Sequence, residues 1–138
     1  MGANVSKMDL ITNKRLDDAL VPVITVGTEA GNAIDVAIQL KDRNGNALAE
    51  AALAVIWLSD ASKGDVCAAA PSGGWAAKAG TDTKLLVALT ATKAAIALAD
   101  KDDGIVSVTI TENTAKTFYV NVQVPGDPRI VSAAVAFA

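Results

Sequence analysis

Few residues of this chain could do chemistry, and most of those are carboxylates. There is no histidine, one cysteine (Cys67) and one tyrosine (Tyr119). This excludes a histidine general base, a Ser-His-Asp or Cys-His nucleophile, and a zinc site built on His or on several Cys. Cys67 lies in a run of small residues, with Lys63 the only basic residue nearby and Asp65 opposing it. A reactive thiolate needs a cationic or helix N-terminal neighbour, so Cys67 reads as an inert, buried thiol. Asp100-Lys101-Asp102-Asp103-Gly104 has carboxylates at calcium-loop spacing. An EF-hand loop, however, places Gly sixth and an acidic ligand twelfth, and here Gly104 is fifth and Thr111 twelfth. The cluster therefore reads as a solvated turn. Asp17-Asp18 with a loop carboxylate would be a glycosidase pair only in a cleft with aromatic sugar platforms, and the chain has five aromatic residues in all. Asn4-Val5-Ser6 fits a glycosylation acceptor, but no continuous apolar leader segment accompanies it. No catalytic residue, cofactor-binding residue or metal ligand is expected, and the chain reads as a non-enzyme without cofactors.

The bulk numbers bound the partners. At 138 residues and 14.0 kDa the length suits one core. The net charge is −3, with no basic face, so nucleic-acid binding is not expected. The apolar runs Ala47–Leu58 and Leu85–Ala99 are interrupted by Glu50 and Lys93 and are too short to span a bilayer, so no membrane partner is expected. A lone cysteine forms no internal disulfide, which fits a reducing compartment. Mean hydropathy is high at +0.36, and apolar surface left outside a core is ordinarily buried against a partner.

The elements follow from periodicity. Alanine supplies 28 residues, valine 15, leucine 11 and isoleucine 9, so the core must be built from small and β-branched side chains. Ile34, Val36, Ile38 and Leu40 alternate with Asp35, Ala37, Gln39 and Lys41, which is the period of a half-buried strand. Asn44-Gly45 then marks a turn. Further strands are expected at Leu53–Leu58, Lys84–Leu89, Ala94–Ala99, Val106–Ile110, Phe118–Val124 and Ile130–Ala138, with Val21–Val26 as a possible first one. Leu85–Ala99 is alanine-rich and has a helical alternative by propensity, but Thr90, Thr92 and the flanking patterns favour strands. About seven or eight short strands with turns every 8–12 residues predict an all-β fold, a β-sandwich of immunoglobulin-like or jelly-roll type. Residues 1–28 read as an extended N-terminal arm and residues 29–138 as the sandwich domain. The arm carries Val5, Met8, Leu10, Ile11, Leu16 and Leu20, enough aliphatic surface to dock on a partner. Trp75, after the flexible Ser72-Gly73-Gly74, is a candidate aromatic anchor; Trp57 reads as a strand residue packed in the core.

The run Val36-Ala37-Ile38-Gln39-Leu40-Lys41-Asp42-Arg43-Asn44-Gly45-Asn46-Ala47-Leu48-Ala49 resembles the opening of bacterial immunoglobulin-like domains. Those carry alternating aliphatics, then Asp-x-x-Gly-Asn, then small residues. Residues 30–138 more broadly are similar to small virion proteins of tailed bacteriophages that serve as capsid decoration or cement proteins. The pieces that carry this likeness are Trp57-Leu58-Ser59-Asp60, Ala70-Pro71-Ser72-Gly73-Gly74, Gly80-Thr81-Asp82, Val106–Glu112 and Val131–Ala138. Residues 1–28 have no counterpart in it. The resemblance implies a structural protein that binds the outer surface of a phage capsid, assembled in the bacterial host cytoplasm, and cements neighbouring major capsid protein subunits. Its contacts are expected at the arm and Trp75. Self-association is expected, a homodimer ahead of a trimer. The alternative is a tail or head-fibre module of immunoglobulin-like fold that binds host surface glycans.

Overall fold

The computed structural model describes residues 21–42 and 44–138. Nine strands are present among them: β1 (Val23–Val26), β2 (Ala33–Gln39), β3 (Leu53–Ser59), β4 (Trp75–Ala77), β5 (Lys84–Thr90), β6 (Ala94–Leu98), β7 (Ile105–Thr111), β8 (Thr117–Gln123) and β9 (Val131–Ala136). They form two antiparallel sheets, one in the order β1-β2-β7-β4 and one in the order β5-β6-β3-β8-β9. The fold is thus the expected all-β sandwich. The alanine-rich stretch after Lys84 is a hairpin of two strands and not a helix. Val23–Val26, inside the segment read as the arm, pairs with β2 and belongs to the sheet. The strand that periodicity did not reveal is β4, whose three residues are too few to display alternation.

The strand order follows a known plan. The seven-strand immunoglobulin arrangement puts A-B-E-D in one sheet and C-F-G in the other. Here β1-β2-β7-β4 occupies the first set of places and β3-β8-β9 the second. The β5–β6 hairpin is the addition: it lies between β4 and β7 in the chain and extends the second sheet beyond β3.

The alternating residues supply the core from both sheets. Ile34, Val36 and Ile38 on β2 and Val106, Val108 and Ile110 on β7 are buried. Facing them are Ala54, Ile56 and Leu58 on β3, Ala95 and Ala97 on β6, and Phe118, Val120 and Val122 on β8. Phe118 and Phe137 meet edge to face, with ring centroids 6.4 Å apart, a favoured aromatic geometry.

Turn chemistry agrees with the sequence reading. At Asp42–Asn46 the Asp42 carboxylate accepts the N–H groups of Asn44 and Asn46 at 2.8 and 3.0 Å, and Gly45 takes φ 79°, which glycine adopts without steric cost. The chain crosses from β6 to β7, and from one sheet to the other, through Asp100–Gly104. Gly104 has φ 65°, and a Cβ there would lie 1.6 Å from the Leu48 carbonyl oxygen. Only glycine fits this crossing.

Candidate docking surface

The two sheets differ on their outward faces. On the four-stranded sheet, Asp35, Thr109 and Ala76 stand opposite one another across three strands, beside Thr25, Ala37 and Ser107. That face is small and polar. Thr109 Oγ1 donates to Asp35 Oδ1 at 2.6 Å and Lys78 Nζ lies 3.3 Å from Asp35 Oδ2. The Thr109 hydroxyl first, then Lys78, holds the Asp35 carboxyl below its ordinary range.

On the five-stranded sheet the residues that alternate with the core set are apolar over the β5-β6-β3 half. Val55, Ile96 and Val87 form one row across the three strands, and Leu53 and Leu98 form the next, which ends at Lys84 on β5. Among the described residues the exposed large hydrophobics are Val23, Leu53, Val66, Leu86, Val87 and Leu89. All but Val23 lie on the β5 side of this sheet. Leu86, Val87 and Leu89 are about half exposed, at 50%, 49% and 53%.

β5 is also an unpaired edge. Such an edge is ordinarily blunted by charge, proline, short length or bulges. Its one charged residue is Lys84. Register shifts between Leu85 and Val87 and between Ala88 and Thr90 mark two bulges. A bulge leaves its extra residue outside the ladder, which leaves Leu86 and Leu89 outside the paired register. The edge is kinked, yet it stays apolar.

A groove of about 330 Å³ opens at one end of this face, lined by Val55, Trp57, Val66, Leu89 and Ile130 among others. One wall is the loop after β3. Trp57 Nε1 donates to the Gly64 carbonyl at 2.9 Å, and Lys63 N donates to Asn121 Oδ1 at 3.1 Å and to Ser132 Oγ at 3.2 Å. The Asn121 amide in turn donates to Ser59 Oγ at 2.8 Å and to the Trp57 and Tyr119 carbonyls at 3.2 Å. Asn121 is fully buried, although strand alternation puts it on the solvent side of β8. The loop folding over it accounts for its burial, since a buried amide needs partners for each donor and acceptor. Sequence reasoning missed both the groove and Asn121, because the loop and β8 are some sixty residues apart. The signal available was an asparagine, a residue depleted in strands, between Val120 and Val122 in the middle of β8.

The residues singled out from sequence fall as follows. Val5, Met8, Leu10, Ile11, Leu16 and Leu20 lie outside the described residues. Trp75 is half-buried on β4, paired with Ile110 and packed against the core. It belongs to the other sheet, though β4 approaches β5 at the sandwich edge. Trp57 is half-buried, between β6 and β8, with its ring on the groove and not in the core. Cys67 is buried, and burial first, then the Asp60 charge, pushes its thiol up. That is the opposite of activation.

The carboxylates are structural wherever their partners can be named. Asp82, Asp100 and Asp102 offer oxygens within 4.8 Å of one another, but Lys101 already sits among them, 3.1 Å from Asp102 and 3.6 Å from Asp82. Asp100 accepts the N–H groups of Asp82 and Asp102 at 2.9 and 2.8 Å. Glu112 is buried at the end of β7. It accepts the Thr114 hydroxyl at 2.7 Å, the Thr114 N–H at 3.0 Å and the Ser72 N–H at 3.1 Å. The Thr114 hydroxyl is the largest cause that holds the Glu112 carboxyl below its usual value. Glu112 thereby ties the loop before β4 to the end of β7. Among the described residues no helix is long and apolar enough to cross a membrane. No protein-family model, curated protein or solved structure matches the chain.

Proposed function

We propose that this chain is a non-catalytic binding module that docks on another protein through the outward face of β5, β6 and β3. The observation that carries this reading is the concentration of exposed aliphatics on one half of one sheet, beside an unpaired edge. Scattered single hydrophobics are ordinary on a surface, whereas a contiguous patch marks an interaction site. The rigid sandwich beneath it needs no rearrangement to present such a face.

The surface it serves, in this proposal, is the exterior of a phage capsid, where it cements neighbouring major capsid protein subunits. The sequence resemblance to decoration proteins supports that step. A cement protein acts by mass action: binding the assembled shell and not free subunits draws assembly forward and stabilises the shell. A homodimer belongs to the same proposal, its two-fold seam formed by the unpaired β5 edge.

Cosedimentation with shells assembled without the protein is the test. The expected result is saturable binding and raised resistance of the shell to heat or chaotrope. Binding absent at concentrations that saturate a known decoration protein, with shell stability unchanged, would overturn the capsid assignment.

A further inference from the structure

The turn that follows β2 carries the one Asn-Gly pair of the chain. Seven asparagines occur in the sequence, and only Asn44 precedes a glycine. The turn itself demands that pair. Gly45 takes φ 79°, a conformation that glycine adopts freely and other residues rarely do. The same missing Cβ leaves the Gly45 nitrogen open to the side chain before it. Asn44 is exposed, so water reaches its carboxamide. The residue choice that closes the turn thus also installs a side-chain amide that hydrolyses without an enzyme.

The step balances on the chain and water alone. The Gly45 nitrogen, once deprotonated, attacks Asn44 Cγ and closes a five-membered succinimide. The Cγ–Nδ2 bond breaks, and ammonia leaves with the proton that the Gly45 nitrogen gave up. Water then opens the ring at either carbonyl. Opening at the side-chain carbonyl gives aspartate in a normal backbone. Opening at the main-chain carbonyl gives isoaspartate, whose backbone runs through the side chain and is one methylene longer. Either product adds one negative charge.

The fold holds this step back. Attack needs the Gly45 nitrogen free, yet its N–H donates to the Asp42 carbonyl at 3.0 Å. The Asp42 carboxylate accepts the N–H groups of Asn44 and Asn46 at 2.8 and 3.0 Å, and Asp42 N donates to the Asn46 carbonyl at 2.9 Å. Asp42 therefore fixes the turn from both ends, and the ring closes only when the turn opens. Asp103-Gly104 offers the same spacing in a different setting. Gly104 is buried, its N–H donates to the Asp100 carbonyl at 2.9 Å, and it packs on the Leu48 carbonyl.

We infer that Asn44 is the site of spontaneous deamidation in this chain, and that Asp42 sets its rate in the folded protein. The isoaspartyl product lengthens the turn between the paired residues Lys41 and Ala47. Leu48 follows directly, so the modification loosens the segment against which Gly104 packs.

Incubation of the full chain in mildly alkaline buffer, followed by peptide mapping with isoaspartate detection, tests this. The expected result is loss of ammonia at Asn44 ahead of every other asparagine, with both aspartate and isoaspartate formed. Asp42→Ala should speed the reaction about tenfold, since two hydrogen bonds to the carboxylate are lost. Asp42→Asn keeps an acceptor in the same place and should stay within about twofold of wild type. Wild type in urea gives the comparison without any substitution, and should react at least about tenfold faster than in buffer. Equal rates in buffer and urea, an unchanged rate in Asp42→Ala, or another asparagine reacting first would overturn the inference. The readout is chemical and uses the protein alone, so it stands apart from shell binding.

Discussion

The two outward faces of the sandwich obey different rules. On the four-stranded sheet most of the pattern alternates: aliphatics point into the core, and Thr25, Asp35 and Thr109 point out, with Val23 as the one large hydrophobic that is exposed there. On the five-stranded sheet the inward half of the pattern is the same, but Val55, Ile96 and Val87 make the outward half apolar too. Antiparallel sheets ordinarily keep one solvated face, so the departure is the informative feature. It is confined to β3 and the β5–β6 hairpin. On the same sheet β8 and β9 carry Tyr119, Asn121, Gln123 and Ser132 outward. The hairpin is also the addition to the seven-strand plan. One sheet buries one face and offers a polar one to water, while the other buries its inner face and leaves aliphatics exposed on part of its outer one.

The contrast can be broken or sharpened by substitution. The largest effect is expected where the chain passes from one sheet to the other. Gly104→Ala would drive a methyl group into the Leu48 carbonyl at a left-handed φ, at a cost of about 4 kcal/mol, seen as a fall in the urea midpoint. A midpoint within error of wild type would mean that the crossing is not fixed as described. Next, Asn121→Ala removes the partner of Lys63 N, Ser59 and two carbonyls, and should cost about 2 kcal/mol. Its mark should fall on one face only: faster amide exchange in residues 60–66, with β1 and β2 unchanged. Equal loosening of both sheets would contradict the local role given to Asn121.

Glu112 gives a pH-dependent effect. Its folded-state pKa is held below the unfolded value, chiefly by the Thr114 hydroxyl. Its stabilising contribution is therefore complete above the unfolded glutamate pKa and is lost as pH falls through the folded one. Urea midpoints between pH 7 and the acid range should fall less steeply for Glu112→Gln than for wild type. Parallel curves would remove Glu112 from the account. The smallest effect is expected on the polar face. Lys78 and Asp35 are each nearly half exposed, at 46% and 47%, and an exposed ion pair contributes about 0.5 kcal/mol or less. Lys78→Ala should leave the midpoint almost unchanged, and a loss well above that size would show that this face does more than meet water.

The fold was largely legible because β2, β7 and β8 display clean alternation and Asp42–Asn46 and Asp100–Gly104 carry turn chemistry. Position within the sheet was not. Nothing local tells β5 that it will be an edge, nor that β3 will be flanked by β6 and β8. The apolar outward face is assembled from that long-range placement, so a strand expected at Lys84–Leu89 did not by itself show that Val87 and Leu89 would be exposed. The groove depends on a loop held by Asn121, a contact across some sixty residues. Trp57 illustrates the limit: its strand was correctly read, while its face depended on parity within the strand and on what covers it. The arm's aliphatics attracted notice for composition alone.

The central claim is that the β5-β6-β3 face, and not the opposite one, meets the partner. Shell occupancy at saturation should be compared for two full-chain variants of matched charge. One is Val87→Lys with Leu89→Lys, and the other is Thr25→Lys with Ala76→Lys. Both pairs are exposed, so each should stay folded, with a stability change within about 1 kcal/mol. The account predicts that the first variant loses binding while the second binds like wild type. Retained binding in the first, or loss confined to the second, would contradict it.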